Sequence, residues 1–236
     1  MKIGVTGYKG RVGQLLVEHI NTAEDLEFAG GIDKGDDAET LFDKADIIID
    51  FTRPEATVSH AKLAAETQTA LVIGTTGLTK EDEDILKQAA KKTAIVYAAN
   101  MSVGVNLLLA LVKQAAERLG PEWDIEIFET HHHHKIDSPS GTALAIGKAA
   151  QEGRGSGGFV TDREGARKQG DIGYAVQRGG DVVGEHMATF FGQGERIELG
   201  HKASDRSLFV KGALHAARWI KGKPAGLYSM QDVLDL

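Results

Sequence analysis

The stretch Lys2-Ile3-Gly4-Val5-Thr6-Gly7-Tyr8-Lys9-Gly10-Arg11-Val12-Gly13 decides the fold. Residues 2–7 read as a short buried strand. Val12, Leu15, Leu16, His19 and Ile20 then recur at helical spacing, so the stretch is strand, turn, helix. The turn from Gly7 to Gly13 has the spacing GxxGxxG. This is a variant of the fingerprint whose glycines permit a tight turn, close approach of a pyrophosphate and close helix packing. A merely glycine-rich βα turn has the same letters. The next strand separates the two: residues 26–33 end in Asp33, twenty residues after Gly13, where a carboxylate would take the ribose hydroxyls of a dinucleotide. Lys34 beside it is a cation able to meet a 2′-phosphate, and the pair points to use of both NADH and NADPH.

Outward from this start the grammar repeats. A third strand, Ala45 to Asp50, carries Ile47-Ile48-Ile49 and leads into a helix through about Gln68, with Thr52 and Glu55 at capping-box spacing and Pro54 early in the helix. A fourth strand, Ala70 to Ile73, runs into Gly74-Thr75-Thr76-Gly77, and a helix starts near Thr79 with Glu81, Asp82, Glu83 and Asp84 in its first turns. A fifth, Ala94 to Ala98, ends in Ala99-Asn100-Met101-Ser102, followed by a helix from Val105 to Leu119 that Gly120 and Pro121 stop. Such alternation specifies an α/β fold, a Rossmann-like doubly wound parallel sheet whose ligand lies beyond the carboxyl ends of the strands. Gly7 to Gly13, Asp33, Gly74 to Gly77 and Ala98 to Met101 all fall at those ends.

From Trp123 the pattern changes. Tyr174 to Gln177, a turn at Arg178-Gly179-Gly180-Asp181, Val182 to Phe191, a turn at Gly192-Gln193-Gly194, and Arg196 to His201 read as a mostly antiparallel sheet in a second, α+β domain. Gln151 to Lys168 is glycine-rich with mixed charge and reads as a surface excursion or mobile loop. Ser204 to Ile220 is an amphipathic helix. The chain has 236 residues, 42% hydrophobic and 26% charged, enough for one large or two modest domains. It has no cysteine, which excludes disulfides and thiolate metal sites and suits a reducing, cytoplasmic setting. The net charge of -7 argues against a nucleic-acid surface, and no apolar run approaches the ~20 residues of a membrane span.

Chemistry concentrates in Glu129-Thr130-His131-His132-His133-His134-Lys135-Ile136-Asp137-Ser138-Pro139-Ser140-Gly141-Thr142-Ala143. Trp123, Ile125 and Ile127 alternate with Asp124 and Glu126, so a half-buried strand delivers the histidines to its end. Ser140 has the side chain of an N-cap, and the helix it opens leaves N–H groups for an anion such as a carboxylate. A metal tract is the alternative for four imidazoles, yet adjacent histidines on a strand face opposite sides and no cysteine completes a ligand set. An acid/base and anion-binding cluster is the reading preferred, with no metal.

With these residues in view, the chain resembles the 4-hydroxy-tetrahydrodipicolinate reductase (dihydrodipicolinate reductase) family over nearly its whole length. The resemblance rests on Glu129-x-His-His-x-x-Lys-x-Asp-x-Pro-Ser-Gly-Thr-Ala143, supported by Gly7 to Gly13, Gly74 to Gly77, Ala98-Ala99-Asn100, Arg178 to Asp181 and the ending Gly226-Leu227-Tyr228-Ser229-Met230. It implies a dinucleotide-binding domain of residues 1–101 joined by the returning segment 204–236, and a substrate and tetramerisation domain of 102–203. It implies NADH- or NADPH-dependent reduction of a cyclic imino diacid with loss of water, on the diaminopimelate route to lysine, by a homotetramer. A catalytically inactive nucleotide-binding relative is the alternative. By motif, Gly7, Tyr8, Lys9, Gly10, Arg11 and Val12 would hold pyrophosphate, and Asp33 and Lys34 the adenosine ribose. Gly74, Thr75 and Thr76 with Ala98, Ala99, Asn100 and Met101 would flank the nicotinamide. His131 would be the acid/base residue, Lys135 the proton donor, His132 a substrate contact, and Gly141 with Thr142 a carboxylate cradle. Met101 stands where the family often has phenylalanine, and Lys34 where an arginine can occur.

Overall fold

In the computed structural model, residues 1–162 and 164–236 are described, and the chain alternates strand and helix from its first residues. The elements are β1 (Lys2–Thr6), α1 (Arg11–Thr22), β2 (Glu27–Ile32), α2 (Ala38–Lys44), β3 (Ile47–Asp50), α3 (Pro54–Thr67), β4 (Ala70–Ile73), α4 (Lys80–Ala89), β5 (Ala94–Tyr97) and α5 (Val103–Leu119). Beyond them lie β6 (Asp124–His131), α6 (Gly141–Arg154), β7 (Phe159–Val160), β8 (Ile172–Arg178), β9 (Gly184–Phe191), β10 (Arg196–Ala203), α7 (Ser207–Ile220), β11 (Gly226–Tyr228) and α8 (Met230–Leu234). They fall into two compact units, Met1–Val103 with Ser207–Asp235, and Gly104–Arg206.

The first unit is built on a six-stranded parallel sheet in the order β11-β5-β4-β3-β1-β2. Strands covered on both faces read as continuous apolar runs, and the three isoleucines of β3 show why. Ile47 and Ile49 point to the face packed by α1 and α7 through Leu16, Ile20, Ala213 and Ala217, while Ile48 points to the face packed by α2, α3 and α4 through Phe42, Ala61 and Leu86. The strand order reverses between β1 and β3, and the crevice of a doubly wound sheet opens at such a switch.

Three local expectations change. Thr52 does not cap α3: Arg53 occupies the N-cap without a side-chain bond, because the Thr52 hydroxyl is taken by Asp50 at 2.6 Å. The seven-residue α2, capped by Asp37, was not anticipated. The expected excursion at 151–168 is partly regular, since α6 continues to Arg154 and β7 joins a sheet; Arg163 lies outside the described residues.

The second unit holds a five-stranded mixed sheet, mostly antiparallel, in the order β10-β9-β6-β8-β7. β9 and β10 form the anticipated hairpin around Gly192 to Gly194. The turn at Arg178 to Asp181 closes no hairpin, because β6 lies between β8 and β9, pairing parallel with the first and antiparallel with the second. α5 and α6 cover one face through Leu108, Val112, Ile146 and Ala150, which meet Ile125, Ile127, Ile172 and Phe190. The inward row of β6 is therefore Ile125, Ile127, Glu129, His131: two apolar residues, then two ionisable ones at the strand's end.

Candidate active site

In the second unit the site grows from Glu129, which is fully buried. A buried carboxylate must have its lone pairs filled, and here four donors do so. Arg178, at the end of the neighbouring β8, donates to both oxygens at 3.2 and 3.0 Å. The Ser140 N–H donates at 2.8 Å, and Nδ1 of His131 bonds the remaining side. Burial pushes Glu129 up, but Arg178, the Ser140 N–H and His131 together hold it below the usual carboxylate range. Glu129 thus fixes the ring of His131, leaving Nε2 as the exchangeable nitrogen. Burial is also the main cause of a depressed His131 pKa; Lys135 and Arg178 add to the depression, and Glu129 opposes it. The imidazole is neutral at neutral pH, donating from Nδ1 and carrying a lone pair on Nε2. A Cβ at Gly184 would lie 3.0 Å from that Nε2, so glycine there keeps the nitrogen's surroundings clear.

His186 packs edge-on against His131, with ring centroids 5.0 Å apart. Burial pushes its pKa down to about 4. Its Nε2 lies 3.1 Å from the Ser140 hydroxyl, which also accepts from the Ala143 N–H as the N-cap of α6. One serine therefore links the helix start to His186 through its side chain and to Glu129 through its backbone.

The histidine tract divides. His132 is half-buried, and burial first, then Arg206 and its neighbours His134 and Lys135, depress its pKa. His133 bonds the Gly180 carbonyl at 2.8 Å and its ring lies tilted against that of His134, both exposed. Among the described residues, the three groups close enough to share a metal are Glu129, His131 and His186. Both oxygens of Glu129 already serve Arg178, Ser140 and His131, so a metal would have to displace one of these donors.

Lys135 pairs with Asp137 at 2.9 Å. The hydrogen bond from Lys135 is the largest cause of a depressed Asp137 pKa, and the Gly141 N–H contributes as well. The Asp137 carboxylate thus engages an ammonium and a helix-terminal N–H, the two donors expected of an anion cradle. α6 has no acidic residue within its first turn, so Asp137, from the segment before it, is the carboxylate at this terminus.

In the first unit a cleft of about 840 Å³ opens at the sheet's switch point, lined by Gly7, Gly10, Asp33, Lys34, Thr52 and Arg53 among others. Gly7 has φ +76°, and a Cβ on Gly13 would overlap the Gly7 carbonyl, so these two glycines let α1 start directly under the loop. Gly10 is the N-cap of α1 with no side-chain bond and no acid in the first turn. The free N–H groups of a twelve-residue helix beside a large cleft fit a pyrophosphate, and Asp33 with Lys34 on the cleft wall fits an adenosine ribose. Tyr8 packs on Gly31, with Lys9 5.4 Å over its ring.

Two sequence profiles of one family divide the chain: "Dihydrodipicolinate reductase, N-terminus" matches residues 1–101 and "Dihydrodipicolinate reductase, C-terminus" matches residues 104–234. A protein of Parvibaculum lavamentivorans named 4-hydroxy-tetrahydrodipicolinate reductase is 49% identical over 266 residues, covering 100% of this chain and 98% of that one. The chain belongs to the dihydrodipicolinate reductase family. A protein of the same name from Zymomonas mobilis is 46% identical over 249 residues, covering 100% of this chain and 98% of its own. A solved dipicolinate-bound dihydrodipicolinate reductase from Paenisporosarcina sp. TG-14 superposes with a TM-score of 0.85 over 98% of each chain, at 23% identity, and shares the fold.

Within this reductase scaffold the predicted residues fall into separate groups. The cleft gathers Gly7, Gly10, Asp33 and Lys34, with Tyr8, Lys9, Arg11 and Val12 on the same loop and helix start. Gly74, Thr75 and Thr76 follow β4, and Ala98 to Met101 follow β5, outside the cleft lining. Gly74 and Thr75 are buried, Thr76 is exposed and Met101 is 1% exposed. His131, His132, Lys135, Gly141 and Thr142 lie around the β6 end and α6 start. The sequence motifs assign no role to Glu129, Arg178 or His186. Glu129 sits on the inward row of β6, which is a local signal; Arg178 and His186 lie 49 and 57 residues further on, with nothing local to mark them.

Proposed function

We infer that the chain is a pyridine-nucleotide-dependent oxidoreductase that reduces 4-hydroxy-tetrahydrodipicolinate to tetrahydrodipicolinate, in diaminopimelate and lysine biosynthesis. The observation that carries the reading is the buried Glu129–His131–Arg178 cluster beside Lys135 and the α6 start, in a chain matched from end to end by the reductase family. The net change replaces a ring hydroxyl by hydrogen: one hydride and one proton enter, and one water leaves. The reduced nicotinamide, when bound, supplies the hydride. The rest falls to the chain. A diacid needs anion sites, and Lys135 with the Gly141 and Thr142 N–H groups supplies one once Asp137 yields it. His132 contacts the substrate. Lys135 donates the proton, and neutral His131, held by Glu129, exchanges protons through Nε2. The cofactor-binding residues are Gly7 to Val12, Asp33, Lys34, Gly74 to Thr76 and Ala98 to Met101.

Both NADH and NADPH fit this reading, because Asp33 accepts from a free 2′-hydroxyl while Lys34 and Arg53, which line the same cleft, meet a 2′-phosphate. We further propose a homotetramer joined through the open sheet face of residues 123–203. The experiment is an assay following oxidation of each reduced cofactor with freshly generated substrate. Turnover with both is expected, with kcat/KM values within about 1000-fold, or ~4 kcal/mol, of each other. No turnover with either sinks the reading, and a larger ratio sinks the balanced ribose site.

A further inference from the structure

The run Ile47-Ile48-Ile49 ends in Asp50, a carboxylate with no exposed surface at the end of a central strand. Burying such a group is expensive unless it is hydrogen-bonded, and its partners are specific. One oxygen, Oδ1, accepts from the Thr52 hydroxyl at 2.6 Å and the Thr75 hydroxyl at 3.2 Å. The other, Oδ2, bonds Nδ1 of His60 at 2.9 Å. Thr75 also accepts from the Thr52 N–H at 3.0 Å, and the Thr52 hydroxyl meets that of Thr57 at 3.3 Å.

These partners divide between the cleft, which both Thr52 and His60 line, and the Gly74–Gly77 turn, which holds Thr75. His60, on α3, lines the cleft assigned to the adenosine half of the cofactor, with a side chain 12% exposed. Its Nδ1 is committed to Asp50, so Nε2 is the nitrogen left for the cleft; among the described residues it has no partner. Thr75 is 3% exposed and opens the turn assigned to the nicotinamide half. A network serving only to close the core would not need a cleft-lining imidazole on one oxygen and a glycine-turn hydroxyl on the other.

We propose that Asp50 is a positioning residue that couples the two halves of the cofactor site, holding His60 of the adenosine-side cleft and Thr75 of the Gly74–Gly77 turn on its two carboxylate oxygens. The inference rests on the cofactor reading given above. Occupation of the cleft against His60 would then favour the Thr75 arrangement that receives the nicotinamide end, and Thr75 would in turn affect binding in the adenosine cleft, since coupling is reciprocal.

The test is a double-mutant cycle read by titration calorimetry with two probes, NADH and ADP-ribose, which lacks the nicotinamide. Thr75→Val is expected to weaken NADH by roughly 3- to 10-fold, the scale of one lost hydrogen bond. It is also expected to weaken ADP-ribose measurably, although Thr75 is not in the adenosine cleft. Thr75→Ser, which keeps the hydroxyl, is expected to recover most of both losses. His60→Asn, which can keep a donor toward Asp50, is expected to weaken both probes, and the His60→Asn/Thr75→Val pair is expected to lose less than the product of the single effects. In turnover the loss appears in KM for NADH, not in KM for the imino diacid. A merely structural network would lower the melting temperature and leave the ADP-ribose affinity of Thr75→Val unchanged and the cycle multiplicative; that result overturns the proposal. If Thr75→Val does not fold, Asp50→Asn carries the same two-probe comparison, and unchanged affinities there also overturn it. Wild-type protein that binds neither probe would instead defeat the cofactor reading itself.

Discussion

His131 and Lys135 sit four residues apart in different surroundings. His131 is enclosed and held by Glu129, with burial depressing its pKa, while Lys135 is 22% exposed and paired with Asp137. Replacing His131 by Gln, or Lys135 by Ala, is expected to lower kcat by roughly 100- to 10,000-fold, the range for a lost general acid or base. NADH affinity should survive, because the glycine loop is untouched. His133→Ala and His134→Ala should do far less, since one bonds a carbonyl and both are exposed. Equal loss in all four histidine variants, measured by steady-state kinetics, would replace this division with a collective role. His186 gives a prediction in pH. Its folded pKa of about 4 lies below the ordinary 6.5, so below pH 6.5 the unfolded chain takes up a proton that the folded chain refuses. Its contribution is whole above 6.5 and drains as pH falls toward 4, by about 1.4 kcal/mol per pH unit at most. Burial depresses His131 in the same direction. Urea unfolding from pH 7 to 4 should show a shallower loss of stability in His186→Gln than in the wild type; parallel curves would remove His186 from the acid sensitivity.

At the scale of elements, the seat of α1 is the most demanding contact in the first unit. A Cβ on Gly13 would overlap the Gly7 carbonyl and crowd Tyr8, both of them backbone contacts that cannot swing aside. Gly13→Ala is therefore expected to push α1 off the loop, costing about 1–3 kcal/mol as an overpacked core does, and to raise KM for NADH. Thermal unfolding and initial rates check both; a variant with wild-type values in each would mean that the helix start has room to spare. This loop was readable because its strand, its glycines and its helix are contiguous. The Asp50 end of β3 was readable only in part: Thr52 and Glu55 have the letters of a capping box, but the nearer carboxylate of Asp50 takes the Thr52 hydroxyl. α2 was missed because seven residues give too few turns for an apolar stripe to show. The Arg178–Asp181 turn was misjudged for a deeper reason. Turn letters mark where a chain bends, whereas which strand lies beside β8 depends on β6, some fifty residues before it in the chain, inserting between β8 and β9. The same distance hid Arg178 as the partner of Glu129, while the β6 alternation and the Ser140 cap, both local, made the strand end and the helix start legible.

At the scale of the whole molecule, the sheet of the second unit has one covered face and one that is not. α5 and α6 occupy the inner face, where Phe190 is fully buried. The opposite face carries Phe128 and Phe191, 39% and 40% exposed, with Phe128 directly across from Ala175 on one side and Met187 on the other. Met187 in turn faces Gly200, its side chain lying over that glycine. Ala175, Phe128, Met187 and Gly200 thus form one apolar row across four strands, with Glu126, Glu185, Arg196, Glu198 and Lys202 among the charged residues around it. An apolar row with a charged rim is the anatomy of a surface that another copy covers, and a sheet face can be used by two copies symmetrically. The number four comes from the family resemblance. Multi-angle light scattering at micromolar concentration is expected to give four times the 25.2 kDa of one chain. Phe128→Asp, which places a charge at the centre of the row, is expected to yield smaller species that keep their secondary structure, since Phe128 points away from the Ile125 and Ile127 core. A wild-type protein found only as monomer would end the assembly proposal; a Phe128→Asp protein still tetrameric would move the interface to another surface.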